Sequence, residues 1–461
     1  MERSTRAEAW RLADSLSRRW RVWAAAGAAL CLAVSCRTPA SGGADGAANG
    51  SDAGSAGATD ADSDSDAGAG GVSGDEAVFQ AILAGARTAP DGVAAVALSG
   101  GWPIAAADGT FIFVHLDDAG GPYALAGDFT GWGTAPLPMT RAAGLWWTRA
   151  AVPAPAGAGY KYVDAGGAYA ADPWARRYGY DSFGEMSFVA AAGAHLERWP
   201  GVGDAAVAAR TLRVWVPAAL PAAHALYVQD GQNLFDPAAP WGGWQLAAAL
   251  GAGTMVIGLD NTPARMDEYT HVEDFIGGAW VGGAGDAYAD YVTLTVRPFV
   301  EARYGAAARS GVMGSSLGGL IAFHEAERWP GTWDFAASLS GTFGWGSIGL
   351  GLGGGTPPPN ETLIDRFGAS APADLGGTVL YLDSGGGPGS GCADADGDGT
   401  DDDTADATDN YCETWQLAQT LAARGWTWDA DLFHWWEPGA THDEAAWAAR
   451  VWRPVGIFEG L

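Results

Sequence analysis

The segment Gly314-Ser315-Ser316-Leu317-Gly318 fits the pattern Gly-x-Ser-x-Gly. In this pattern the central serine is a candidate nucleophile, because the flanking glycines permit a sharp turn that lifts its hydroxyl clear of a sheet. A serine hydroxyl becomes a good nucleophile only beside a histidine base that is oriented by a carboxylate. With 70 glycines in 461 residues the pentapeptide alone is weak evidence. Its meaning therefore depends on the elements around it.

Those elements are a short apolar strand, "AARSGVMG", and a helix, "SLGGLIAFHEAERWP", that ends before Pro330. Ser316 is thus predicted to lie at a strand-to-helix turn, where the helix N-terminus offers backbone N–H groups. Further strand-like runs alternate with helical ones from Thr211 onward, among them "TLRVWVP", "ALYVQDG", "TMVIGLDN", "FAASLSG", "TVLYLDSG" and "WDADLFHWWE". This alternation predicts an α/β domain with a mostly parallel sheet over residues 200–461.

The candidate base is His442. In this fold class the residues follow the chain order Ser, acid, His, and only His434 and His442 lie beyond the helix that follows Ser316. His434 falls inside a predicted strand, where its ring packs or faces solvent. His442 lies in "EPGATHDEAAWAARVW", in a loop between the last strand and the final helix, and is the predicted base.

Five sequence blocks of this region resemble, in order, the esterase D and enterochelin esterase group of α/β-hydrolases. They are "LYVQDGQNLFD", "VIGLDNTPARMDEYT", "GVMGSSLGGLIAF", "SLSGTFGW" and "GATHDEAAWAARVWRP". The relatives of this group include S-formylglutathione hydrolases, feruloyl esterases and mycolyltransferases. The resemblance spans residues 211–458 and implies a serine esterase. Arg265, Glu268 and Tyr269 match a family block near the pocket, although a purely structural ion pair explains them equally well.

The resemblance leaves two candidates for the acid. Asp383 directly follows a strand in "LYLDSGG", and is the simple choice by position. In S-formylglutathione hydrolases, however, the catalytic aspartate lies later, and "DNYCETWQL" matches its spacing at Asp409. An acidic insertion separates the two positions here. The resemblance favours Asp409 and keeps Asp383 as the alternative.

The oxyanion hole of such an enzyme uses two backbone N–H groups. One is that of Leu317, directly after the nucleophile. The other comes from the loop after the strand "ALYVQ", and we assign it to Gln232, with Asp230 and Gly231 shaping the loop.

The chain before this domain has a different pattern. A helix-like segment at residues 75–87 precedes short apolar runs separated by Gly and Pro, which predict a small β-sandwich over residues 75–195. Three blocks of this region resemble the early-set immunoglobulin-like domain related to glycogen-binding modules. They are "ALAGDFTGWGTAPLPM", "LWWTRAAVPAPAGAGYKYVD" and "AYAADPWARRYG". An early-set domain before this hydrolase domain is the arrangement of siderophore esterases. The resemblance would allow four tryptophans of this region to bind glycan, whereas tryptophan side chains more commonly fill the core of a domain. The four residues are Trp132, Trp146, Trp147 and Trp174.

An acidic loop, residues 392–412, lies within the second domain. Asp394, Asp396 and Asp398 alternate before Gly399 as at the start of a calcium-binding loop, but Ala405 stands where a glutamate is expected. The tract is closer to thrombospondin-type calcium repeats, and a disordered insertion is the alternative. Because the protein is predicted to be exported, Cys392 and Cys412 are expected to form a disulfide. We expect no cofactor for catalysis and at most a structural calcium ion here.

The N-terminus is typical of an export signal. Arginines precede an apolar run that is too short to span a membrane. The run ends in a box that resembles a lipoprotein cleavage site at Cys36, so residues 1–36 are a predicted lipoprotein signal and Cys36 a predicted lipidation site; an ordinary signal peptide is the alternative. The Gly/Ala/Ser/Asp stretch 37–74 is predicted to be a flexible tether in the cell envelope.

A net charge of −29 argues against nucleic acid as a partner. Taken together, the sequence predicts an exported serine esterase for small-molecule or glycan esters, of siderophore-lactone or feruloyl/acetyl type, that meets the membrane only through a lipid anchor. The alternatives are a glycan-binding lipoprotein with an inactive hydrolase domain, and an acyltransferase with the same triad.

Overall fold

The structure is a computed structural model and describes residues 74–349, 360–394, 397–403 and 409–461. All of them belong to one compact unit, Gly70–Leu461. The predicted signal peptide, Cys36 and nearly all of the predicted tether lie outside the described residues, as do Asp396 and Ala405. Among the described residues no helix is both long and apolar enough to cross a bilayer.

The first region opens with two helices and continues as short strands. The helices are α1 (Gly74–Leu83) and α2 (Ala89–Ala97). The strands are β1 (Ile104–Ala105), β2 (Phe111–Leu116), β3 (Ala124–Gly127), β4 (Leu137–Pro138), β5 (Thr140–Ala142), β6 (Leu145–Ala150), β7 (Gly159–Val163), β8 (Tyr169–Ala170), β9 (Arg177–Asp181) and β10 (Gly184–Phe188).

These strands form two antiparallel layers. One layer has the order β1-β2-β6-β5, and the other contains β4-β3-β7-β10-β9. Alternation along β2 explains the packing, since Phe113 points to a core shared with Tyr160 while Ile112 and Val114 point to a second core beneath α1 and α2. The predicted strands are present here, and the assignment to the immunoglobulin-like class stays a prediction.

The second region alternates strands and helices. Its strands are β11 (His195–Val202), β12 (Arg210–Val216), β13 (His224–Gln229), β14 (Thr254–Leu259), β15 (Glu273–Ile276), β16 (Ala279–Gly282), β17 (Arg309–Ser315), β18 (Phe335–Leu339), β19 (Val379–Ser384) and β20 (Leu432–Trp436). Its helices are α3 (Arg265–Glu268), α4 (Gly285–Tyr291), α5 (Arg297–Tyr304), α6 (Leu317–Arg328), α7 (Leu363–Ala369), α8 (Tyr411–Ala423), α9 (Glu444–Arg450) and α10 (Trp452–Glu459). A π-helical segment, Val292–Val296, joins α4 to α5.

The sheet of this region has the order β11-β12-β14-β13-β17-β18-β19-β20. From β14 to β20 every neighbouring pair is parallel, and β12 is antiparallel to its neighbours. All residues of β14 and β18 are buried, as expected for strands covered by helices on both faces. The predicted α/β-hydrolase sheet is therefore confirmed. Because β11 also pairs with β9, the sheet continues into the first region.

The position of the site follows from this topology. In open α/β sheets the reactive side chains lie in the crevice beyond the carboxyl ends of the parallel strands. The loops after β13, β17, β18, β19 and β20 all leave the sheet at that edge. These loops carry the candidate residues Gln232, Ser316, Asp409 and His442.

Candidate active site

Ser316 lies on the turn between β17 and α6, in the position that the sequence predicts. Its φ is 55° and its ψ is −127°, a backbone conformation that a residue with a Cβ rarely adopts and that is typical of strained functional turns. The turn is tight, because a Cβ at Gly314 would lie 2.2 Å from the carbonyl oxygen of Gly318. The Ser316 N–H donates to the Leu339 carbonyl at 3.0 Å, which ties the turn to the end of β18.

His442 lies in the loop between β20 and α9 and is paired with Asp409. Its Nδ1 is 2.7 Å from Asp409 Oδ1. The Asp409 side chain is fully buried, and that of His442 is 23% exposed. A carboxylate at Nδ1 favours the tautomer with its proton on that atom, so the lone pair of the neutral ring is on Nε2. This is the arrangement that a general base requires.

Asp383, the alternative acid, has other partners. It lies inside β19, one residue before the end of the strand, and accepts from Arg450 Nε at 3.0 Å and from the Tyr381 hydroxyl at 2.9 Å. Burial raises the pKa of Asp383 to about 6, against the opposing effect of the Arg450 guanidinium. The structure thus places Asp409 in contact with His442, whereas Asp383 contacts Arg450.

Ser340 connects the acid to the nucleophile's turn. It follows Leu339 directly, and its Oγ donates to Asp409 Oδ2 at 2.8 Å. The same Oγ accepts from Trp447 Nε1 at 3.0 Å and from Arg450 Nη2 at 2.6 Å. Neighbouring parallel strands therefore present the nucleophile and the anchor of the acid side by side.

The sequence did not identify Ser340, Trp447 or Arg450 as part of the site. The only signal was positional: Ser340 immediately follows a buried strand, and Trp447 and Arg450 lie on the helix that begins just after His442. Trp447 also contacts the His442 ring edge-to-face, with centroids 5.1 Å apart. His434, as expected, lies inside β20, where burial lowers its pKa to about 4 and its ring packs against Trp415.

The two predicted oxyanion donors lie just after two neighbouring strands of the sheet, β17 and β13. Leu317 is the first residue of α6, and Gln232 lies in the turn after β13. The first turn of α6 and the end of β13 lie close together, since a Cβ on Gly318 would be 3.1 Å from the Gln229 Cβ. Outside their own helical segments, neither the Leu317 N–H nor the Gln232 N–H donates to a backbone carbonyl in the described part of the chain. Their role as oxyanion donors stays a prediction.

A clamp holds the loop that carries Gln232. Asp230, at a φ of 58°, accepts two hydrogen bonds of 2.8 Å from the Arg265 guanidinium and one of 2.6 Å from Asn261. Tyr269 accepts from the Asp230 N–H at 3.2 Å. Glu268 instead pairs with Arg210 at 2.7 Å. Arg265 and Tyr269 therefore contact the loop that carries Gln232, and Glu268 belongs to a separate ion pair.

The acidic loop is closed by the predicted disulfide between Cys392 and Cys412, whose Cα atoms are 5.4 Å apart. Asp394 accepts from the N–H groups of Gly397, Asp398 and Gly399 at 2.6 to 3.0 Å. Over the described residues no group of three or more His, Cys, Asp or Glu side chains is arranged to hold a metal ion. Calcium binding by this loop stays a prediction.

The tryptophans of the first region divide into two sets. Trp132 lines an open cleft of about 870 Å³ together with Lys161, Tyr169 and Phe183. The other three pack against the two cores of this region and do not line the cleft; they are Trp146, Trp147 and Trp174.

Comparisons with known proteins place the chain in a family. The model of the Esterase family matches residues 209–455, more than half of the chain. No curated protein matches it. Solved structures that match include an enterobactin esterase of Shigella flexneri (14% identity, 76% of this chain and 93% of that one, TM-score 0.39), the siderophore hydrolase EstA of Aspergillus nidulans (18%, 57% and 94%, 0.42) and MPT51 of Mycobacterium tuberculosis (18%, 56% and 96%, 0.39).

Proposed function

We propose that this chain, which belongs to the Esterase family, hydrolyses carboxylic esters through an acyl-enzyme on Ser316. The single observation that carries the proposal is the 2.7 Å bond between His442 Nδ1 and Asp409. It lies at the sheet edge where Ser316 occupies a strained strand-to-helix turn. Ser316, Asp409 and His442 thus lie in the loops at one edge of the sheet, in the chain order of a serine hydrolase triad.

The reaction then proceeds in two halves. His442 Nε2 takes the proton of the Ser316 hydroxyl while Oγ forms a bond to the ester carbonyl carbon. The negative charge that develops on the carbonyl oxygen is stabilised by the N–H groups of Leu317 and Gln232. The C–O bond to the alcohol breaks, and the alcohol leaves with the proton from His442. Water, deprotonated by His442, attacks the acyl carbon in the second half and releases the acid and the free serine.

The test is hydrolysis of short-chain p-nitrophenyl esters, a feruloyl ester and a siderophore lactone by the wild type and by Ser316→Ala. Ser315→Ala is the matched control, because Ser315 is the buried neighbour on β17. We expect turnover by the wild type and by Ser315→Ala, and a loss of at least about 10³-fold for Ser316→Ala. Equal rates for all three proteins would refute the triad. The substrate with the highest kcat/KM would identify the ester class, for which the sequence blocks favour siderophore lactones and feruloyl or acetyl esters.

An acyltransferase differs from this esterase only in the acceptor that attacks the acyl-enzyme. Adding alcohols to the same assay separates the two activities. An ester product at the expense of free acid would favour the transferase, and an unchanged yield of acid would favour hydrolysis.

A second candidate function, glycan binding, is favoured by the cleft in the first region. Aromatic faces and polar groups meet there, with Phe183 85% exposed and Lys161 donating from Nζ to the Phe183 carbonyl at 3.1 Å. Aromatic faces with a few polar groups suit a polyol ligand. Affinity electrophoresis through glycogen or xylan tests this: Trp132→Ala should lose any retardation, and Trp428→Ala, an exposed tryptophan elsewhere, should keep it. No retardation of the wild type would remove the idea.

Export and anchoring through Cys36 belong to the same proposal. Metabolic labelling with palmitate should mark the wild type and not Cys36→Ala, and the wild type should fractionate with the cell envelope.

Calorimetric titration with calcium tests whether the acidic loop, residues 392–412, binds this ion. No heat of binding from micromolar to millimolar calcium would remove that site.

A further inference from the structure

A fully buried ion network lies behind the candidate acid. The side chain of Arg450 is 1% exposed, and those of Asp383 and Asp409 are 0% exposed. Arg450 Nε is 3.0 Å from Asp383 Oδ1, and Nη2 is 3.3 Å from Asp409 Oδ2. Nη2 also donates to Ser340 Oγ at 2.6 Å. One guanidinium thus contacts both aspartates that the sequence offers as candidates for the triad acid.

Every oxygen of the acid is occupied in this arrangement. Asp409 Oδ1 faces His442, while Oδ2 accepts from Ser340 Oγ, from the Gly385 N–H and from Arg450. The carboxylate therefore cannot rotate about its χ2 angle without breaking several buried hydrogen bonds, each of which is expensive to leave unmade.

The network also joins three separate segments of the chain. Asp383 lies near the end of β19, Arg450 ends α9, and Asp409 lies just before α8 at a φ of 69°. Asp409 is not part of a regular element, so side-chain bonds must fix its place. Because α9 starts two residues after His442, the same guanidinium fixes the base and the acid relative to each other.

We propose that Arg450 and Asp383 are positioning residues that hold Asp409 against His442. Asp383 neutralises and orients the guanidinium, and the guanidinium together with Ser340 orients Asp409. A planar fork that engages two carboxylates is a role that lysine does not fill. The inference rests on the proposed function, since the acid matters to the reaction only if His442 is the base.

The test has a readout that does not depend on activity. The proton on His442 Nδ1, shared with a buried carboxylate, should give a low-field proton resonance, which Ser316→Ala keeps and His442→Gln loses. In Asp383→Asn, an isosteric change, and in Arg450→Met we expect that resonance to broaden or move upfield. We also expect kcat to fall about 10- to 100-fold with KM changed less than about threefold, the pattern of a lost positioning interaction.

Two further variants sharpen the result. Arg450→Lys should not restore the resonance or kcat, because an ammonium cannot bond both aspartates in one plane. Arg176→Met is the matched control: it removes a similarly buried guanidinium whose hydrogen bonds, among the described residues, go to carbonyl groups such as those of Ala97 and Ser99. It should lower stability and leave the resonance unchanged.

A wild-type resonance and wild-type kcat in folded Asp383→Asn would overturn the proposal, and this variant decides the matter if Arg450→Met does not fold. A changed resonance with lowered kcat supports it. The outcome is separable from the fate of the proposed function: if Ser316→Ala kept full activity, the esterase mechanism would fail, while the resonance would still report whether Arg450 and Asp383 hold the Asp409–His442 pair.

Discussion

The buried Asp383 makes a quantitative prediction about stability and pH. Burial raises its pKa to about 6 in the folded protein, against an ordinary value of about 3.9 in an unfolded chain. The folded state therefore binds this proton more tightly than the unfolded state does. By linkage, the contribution of Asp383 to the free energy of unfolding rises as the pH falls through 6. The expected sign is opposite to that of a salt-bridged carboxylate with a lowered pKa.

The magnitude follows from the two pKa values. A shift of about 2 units corresponds to about 3 kcal/mol if the titration is completed in both states. Between pH 8 and pH 5, where the folded-state group takes up most of its proton and the unfolded-state group takes up little, the gain is about 1.4 kcal/mol. This range stays above the isoelectric point near 4.3, where the protein's solubility would be lowest.

The assay is urea unfolding of the wild type and of Asp383→Asn at several pH values from 5 to 8. The asparagine does not titrate, so the difference between the two free energies of unfolding isolates the aspartate. We expect the wild type to gain about 1.4 kcal/mol relative to the variant on going from pH 8 to pH 5. Asp334→Asn controls for removal of a carboxylate, because Asp334 directly precedes β18, at the edge of the sheet opposite the site, where it accepts from Arg309 and from the Ser310 N–H. Parallel pH dependences for the wild type and Asp383→Asn would refute the reasoning.

Three other perturbations test the site's supports. Gly231→Ala would place a Cβ 2.5 Å from the backbone of β14 and so displace the loop that carries Gln232. We expect a loss of about 2 kcal/mol in the free energy of unfolding, measured by thermal melt; an unchanged melting temperature would contradict this. Arg265→Gln breaks the bidentate clamp on Asp230 and should lower kcat about 10- to 100-fold in the ester assay, as expected for a weakened oxyanion donor; wild-type kcat would argue against the clamp. Replacing Cys392 and Cys412 by serine opens a loop with a sequence separation of 20 and should remove about 3 kcal/mol, with activity lost before global unfolding in a urea titration.

Much of this fold can be predicted from the sequence, because hydrophobic pattern and chain order determine it. The strand before Ser316 and the helix after it are marked by apolar residues at the right periods, and His442 follows from its place after the last strand. The turn at Ser316 follows from two glycines whose close contact the structure shows. These features are local, and local patterns suffice for them.

The remainder depends on which way side chains point across distant elements. The resemblance favours Asp409 over Asp383 by its spacing, but the contact of Asp409 with His442 depends on a turn at positive φ, which spacing does not give. Arg450 and Ser340 carry no motif, and their roles appear only when β18, β19 and α9 are packed together. Sequence does not separate Trp132, which lines the cleft, from the tryptophans that pack against the cores, because tryptophan suits both a binding surface and a core.

The central claim is that Ser316 is the nucleophile activated by His442, and covalent trapping tests it most directly. The protein is treated with a fluorophosphonate, which bonds to an activated serine with loss of fluoride, and the modified peptide is located by mass spectrometry. We predict a single adduct on Ser316 that is absent from Ser316→Ala and forms far more slowly in His442→Gln. An adduct on another residue, or equal labelling of Ser316→Ala, would contradict the claim.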